Sequence, residues 1–89
     1  VIFEDVTIIN RLGLHARAAA KLVTCASQFA SDISLVRDGQ TVNGKSIMGV
    51  MMLAASQGTH LRLVVSGDDE TQAIESLRQL IQARFGEAE

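Results

Sequence analysis

The sequence predicts an α+β fold in which helices lie on one face of a four-stranded, mainly antiparallel sheet. Three observations predict it. Alternating β-branched segments and alanine- or leucine-rich helical segments follow one another in the order βαββαβα. An Asp38-Gly39 pair joins two short strands, which is a hairpin signal because both residues tolerate positive φ. The 89 residues, 47% of them hydrophobic, suit one core and therefore one domain over 1–89.

Residues 2–9 (IFEDVTII) alternate and are rich in β-branched side chains, so they read as a first strand ending at Asn10. Gly13 turns the loop that follows. From Ala16 the run ARAAAKLVTCASQFA is built of strong helix formers, with Ala19, Leu22, Val23 and Ala26 at helical spacing, and ends between Ser27 and Ala30. Ile33 to Arg37 and Gln40 to Asn43 form the hairpin. Ser46 then caps a short apolar helix reaching Leu53, although Gly49 weakens it. His60 to Ser66 is a fourth strand, closed by Gly67. Asp69 and Gln72 stand in a capping-box arrangement, and Ile74, Leu77, Ile81 and Phe85 give a last helix an apolar stripe to about residue 84.

Composition narrows the function. A net charge of −2 and three aromatic residues, all Phe, argue against nucleic acid as a partner. No segment approaches the ~20 apolar residues of a membrane span and no signal segment is visible, so the chain is expected to be cytoplasmic, without membrane insertion. A single cysteine, Cys25, excludes an internal disulfide and reads as a small apolar helix residue. Two histidines give no zinc constellation, and neither a metal nor another cofactor is expected. Charge is unevenly placed. Carboxylates are missing between residues 6 and 31, around Arg11, Arg17 and Lys21, and again between 39 and 67, around Lys45 and Arg62. Acidic residues gather near the C-terminus. If the two carboxylate-free segments meet, they make a positive face suited to an acidic partner.

The chemistry concentrates in Leu12-Gly13-Leu14-His15-Ala16-Arg17, where a glycine turn gives way to a helix. The first N–H groups of a helix lack internal partners and the macrodipole there is positive, which makes the position an anion site. A neutral imidazole is a phosphoryl nucleophile. With His15 as acceptor, the backbone N–H groups of Ala16 and Arg17 and the Arg17 guanidinium can meet the phosphate oxygens. A histidine beside a helix start is otherwise more often a structural cap. Here the small alanines at 16, 18, 19 and 20 leave room for a partner, and no acidic residue lies nearby in sequence.

A second cluster follows Ser46. Ile47, Val50 and Met51 share one side of the short helix and Met48 and Met52 another, so an element this short must expose apolar surface. Methionine suits a surface that adapts to more than one partner, whereas the structural reading places about half of these residues in the core. Ser46 itself is either a plain helix cap or a site whose phosphorylation would bring ≈ −1.5 to −2 charges to the rim of that surface.

LGLHARAAAKL around His15, NGKSIMGVMML around Ser46, QGTHLRL before the last strand and the acidic start of the last helix together resemble the HPr family. These are the histidine-containing phosphocarriers of the bacterial phosphoenolpyruvate-dependent sugar phosphotransferase system, and the similarity runs along essentially the whole chain. The resemblance implies an open-faced β-sandwich with sheet order 1-4-2-3 and three helices on one face. It implies a monomer whose His15 takes phosphate on Nδ1 from phosphorylated enzyme I and passes it to enzyme IIA domains of sugar permeases. Such a protein is a covalent intermediate between enzymes rather than an enzyme. The resemblance further implies that Arg17 is the active-site arginine, that Ser46 is the target of an HPr kinase/phosphorylase, and that Ile47, Met48 and Met51 with Ala16, Ala20 and Thr24 form the partner surface.

One position departs from the family pattern. Ala18 stands where these proteins usually carry proline, which would pre-set φ in the first helical turn, so the helix start is expected to be less rigid but still an anion site. Two other functions compete. The NPr-type carrier of the nitrogen-related phosphotransferase branch shares the histidine motif, although Gly44-Lys45-Ser46-Ile47 fits the sugar-type carrier better. A regulatory module of the same architecture would bind an anion at the helix start without any covalent label.

Overall fold

A computed structural model describes all residues 1–89. Its elements are β1 (Ile2–Thr7), α1 (Ala16–Ala26), β2 (Asp32–Arg37), β3 (Gln40–Asn43), α2 (Ile47–Met52), β4 (His60–Ser66) and α3 (Glu70–Gln82), followed by a short 3-10 turn at Arg84–Gly86. The sheet has the order β1-β4-β2-β3 and every neighbouring pair is antiparallel.

Period-two alternation makes the sheet two-faced. Ile33 and Leu35 of β2 and Leu61, Leu63 and Val65 of β4 are buried beneath the helices. Phe3, Asp5 and Arg62 look the other way, where Arg62 pairs with Asp5 at 2.8 Å and lies 4.5 Å over the Phe3 ring. The helices close the core with Ala18, Ala19, Leu22 and Ala26 from α1, Val50 from α2 and Ala73, Leu77 and Ile81 from α3. Cys25 is half-buried against this core, and burial pushes its thiol up, as suits an inert apolar residue.

Three expectations need correction. β1 ends at Thr7 rather than residue 9, because Ile8 leaves the strand ladder, donating from its N–H to Thr59 O and accepting from Gly58 N–H. No capping box forms at α3. The Asp69 carboxylate instead accepts from the backbone N–H of Ala30 at 2.9 Å and of Ser31 at 3.0 Å, and from the Ser31 hydroxyl, which ties the exit of α1 to the start of α3. α3 also stops at Gln82. Arg84 and Phe85 adopt φ of 57° and 55°, so the chain reverses and Phe85 reaches the core from that turn rather than from a helical stripe.

Candidate functional site

Gly13 sets the loop that carries the histidine. Its φ is +68°, and a Cβ there would lie 2.5 Å from Ala55 O and 2.8 Å from Ser56 Cα, so only glycine lets the loop pass this close to the segment after α2. Leu14 is buried and its N–H donates to Ala55 O at 2.8 Å. His15, fixed in place by Leu14, takes extended angles (φ −74°, ψ 178°) and is the N-cap of α1.

As a cap residue His15 is unusual in one respect: its side chain makes no bond to the helix it begins. The imidazole turns away, and Nε2 lies 2.5 Å from Glu87 Oε2. The other oxygen of that carboxylate accepts from Asn10 Nδ2 at 3.0 Å, and the same amide also donates to Gly13 O at 2.8 Å. These donors, Asn10 first and His15 second, hold the Glu87 carboxyl below the usual glutamate range. Asn10 is fully buried, so the network is anchored in the body of the fold. His15 Nδ1 makes no hydrogen bond within the chain, and no acidic residue occupies the first turn of α1.

Arg17 is exposed and forms no ion pair or side-chain hydrogen bond, whereas Arg11 is held by Glu89 through its side chain at 2.8 Å and through its N–H to Glu89 O at 2.5 Å. Arg11, Leu12, His15, Ala16, Arg17, Glu87 and Glu89 line one open cavity of about 610 Å³. No group of acidic, cysteine or histidine side chains is arranged to hold a metal ion.

The neighbourhood differs from the expected positive face in two ways. Glu87 and Glu89, far off in sequence, are folded onto His15 and Arg11, and Arg62 sits on the uncovered face of the sheet with Asp5. Arg17 is thus the uncompensated cation of the cavity. Sequence reasoning missed Glu87 altogether. The signal that was available is Phe85-Gly86, an aromatic residue and a glycine directly after a helix, which marks a chain turning back rather than trailing away.

Ser46 caps α2 in the ordinary manner, its Oγ accepting from Gly49 N–H at 3.1 Å. Val50 is the one buried residue of that helix. Ile47 and Met51 are 44% and 43% exposed, and Met48 and Met52 are 77% and 67% exposed. The methionines therefore lie on the surface rather than dividing between surface and core. α2 packs against α1, where Ala16 and Thr24 are exposed and Ala20 is half-buried.

A family model described as PTS HPr component phosphorylation site matches residues 3–83. The chain belongs to the HPr family. It is 54% identical over 86 residues to phosphocarrier protein HPr of Cupriavidus necator, covering 97% of each chain. Among solved structures it is similar to HPr-C-His from Thermoanaerobacter tengcongensis, with a TM-score of 0.97 and 46% identity over the full length of both. It also resembles the HPr dimer from the same organism, with a TM-score of 0.79 and 50% identity over 92% of this chain and 94% of that one. HPr proteins are phosphocarriers of the phosphotransferase system, so a histidine at an open helix start in a chain of this family is in keeping with phosphoryl transfer. No helix of this HPr protein is long and apolar enough to cross a membrane.

Proposed function

We propose that this protein accepts a phosphoryl group on His15 from phosphorylated enzyme I and hands it to the enzyme IIA domains of sugar permeases, working in the cytoplasm as a monomer. The observation that carries the reading is the helix start itself. His15 stands at the N-cap of α1 without using the helix's donors, so the N–H groups of Ala16 and Arg17 are left for an external anion. Arg17, exposed and unpaired, supplies the charge that meets a transferred phosphate.

Chemically the protein is a way station. The imidazole lone pair attacks phosphorus, the bond to the donor breaks with its electron pair, and the phosphohistidine waits for an acceptor. Turnover belongs to the partners. They dock over Ile47, Met48 and Met51 and the facing residues Ala16, Ala20 and Thr24, where exposed apolar side chains on two adjacent helices offer an adaptable surface. Ser46 lies beside that surface. Its phosphorylation by an HPr kinase/phosphorylase would place ≈ −1.5 to −2 charges at the start of α2, favourable to the helix and adverse to an acidic partner.

Incubation with enzyme I and phosphoenolpyruvate tests the carrier reading. The expected product is an acid-labile, alkali-stable phosphate on the wild type and none on His15→Ala. An undiminished label on His15→Ala, or no label on the wild type, overturns it. With ATP and the kinase, an acid-stable phosphate is expected that disappears in Ser46→Ala.

A further inference from the structure

We propose, on the reading of α2 as partner surface, that this helix carries a reversible oxidative switch: peroxide converts Met48 and Met51 to sulfoxides and so weakens the docking of enzyme I.

Every methionine of the chain lies on α2, as Met48, Met51 and Met52. They are 77%, 43% and 67% exposed, which leaves these side chains open to a small oxidant. The remaining sulfur belongs to Cys25. That residue is half-buried against the core, and burial pushes its thiol up, so it presents little of the thiolate that peroxide attacks. Oxidation is therefore directed to α2 rather than to the cysteine.

The reaction is an oxygen-atom transfer. A thioether lone pair attacks one oxygen of hydrogen peroxide and the O–O bond breaks. The transferred oxygen gives its proton to the departing hydroxide, so that sulfur is oxidised to the sulfoxide and the peroxide is reduced to water.

Such a change alters the surface of α2 and not its place in the fold. The helix is anchored by Val50 and Leu53, which are buried and contain no sulfur. Both of its ends are pinned. Ser46 Oγ accepts from Gly49 N–H at 3.1 Å, and Arg37 Nη1 donates to Leu53 O at 2.6 Å and to Ala54 O at 2.9 Å. With the helix held in this way, only its outward side chains become polar. A sulfoxide oxygen carried into an apolar interface loses its water and gains no donor, a cost that the thioether does not bear. Met52 is exposed but lies outside the docking residues, so its oxidation is an internal control.

The test uses the full-length protein, treated with hydrogen peroxide and then freed of it. Mass spectrometry is expected to show one oxygen on each methionine and none on Cys25. In calorimetric titration, enzyme I should bind about tenfold more weakly after treatment, and methionine sulfoxide reductases with a dithiol should restore the affinity. The urea midpoint should not change, nor should labelling of His15 by phosphoramidate, a small donor that needs no docking. The double variant Met48→Leu/Met51→Leu keeps the apolar face without its sulfurs. Compared with its own untreated sample, its binding should resist peroxide, whereas Met52→Leu should be as sensitive as the wild type. Equal affinity before and after treatment would overturn the proposal, as would oxygen on Cys25 in place of the methionines, a double variant that stays sensitive, or a parallel fall in phosphoramidate labelling. Untreated protein that does not bind enzyme I would overturn it too, while binding without phosphoryl transfer would overturn the carrier reading alone.

Discussion

Helices α1 and α2 both begin on a polar residue in extended conformation, and the two residues do opposite things. Ser46 folds its hydroxyl back onto Gly49 N–H and satisfies one of the donors that every helix start leaves open. His15 leaves those donors alone and directs its ring to Glu87. The first arrangement stabilises its own helix. The second forgoes that stabilisation and leaves the first N–H groups of α1 open beside the imidazole. Asp69 is a third case at the start of α3, its carboxylate spent on Ala30 and Ser31 in a neighbouring segment. A cap-forming residue type in the sequence therefore shows where a helix starts, but not where its side chain goes.

The difference between the two helix starts depends most on the C-terminal turn. Phe85→Ala removes a fully buried aromatic and is expected to cost about 3–5 kcal/mol in urea unfolding. In the molecules that remain folded it should also release Glu87, so that NMR reports a shifted His15 ring signal while the Gly49 amide, capped by Ser46, is unchanged. Gly13→Ala comes next. A Cβ 2.5 Å from Ala55 O combined with φ of +68° is expected to cost about 2–4 kcal/mol, measured the same way, and to displace the His15 loop without touching the cap of α2.

The sequence is legible wherever the structure is decided locally. β3 and β4 have the limits that alternation and glycine punctuation predict, and Asp38-Gly39 turns the hairpin with both φ positive, 49° and 82°. Sheet order came with the family resemblance rather than from periodicity, which does not say which strands pair. At the site, His15 and Arg17 were readable because a glycine loop meeting an alanine helix is a local pattern. Glu87 was not, since it lies 72 residues away in sequence and arrives through two left-handed residues that no propensity favours. The capping box at Asp69 failed for the same reason: Ser31 and Ala30 lie closer to that carboxylate in space than the sequence shows.

Ser46→Ala alters the start of α2 alone. Loss of the cap bond to Gly49 is expected to cost about 1 kcal/mol, seen as a lower urea midpoint with unchanged slope. Phosphoryl acceptance at His15 should proceed at the wild-type rate, because the two helix starts share no side chain. A fall in that rate would mean that the two starts are coupled through the α1–α2 packing.

The smallest expected effect concerns acid. Hydrogen bonds from the Ser31 hydroxyl first and from the Ala30 and Ser31 N–H groups hold the Asp69 carboxyl below the usual aspartate range, as Asn10 and His15 do for Glu87. A carboxyl depressed in the folded chain contributes stability that is present above its unfolded pKa of about 3.9 for Asp or 4.3 for Glu and is lost as pH falls through the folded value. Melting temperature should therefore decline below about pH 4, and Asp69→Asn should start lower at pH 7 and decline less steeply. Glu87→Gln should flatten the same limb through the other carboxylate. Because Asp69 and Glu87 fasten different segments and share no partner, the double variant should lose the sum of the two slopes. A double variant whose acid limb matches that of either single one would show that the exit of α1 and the C-terminal turn open as one unit.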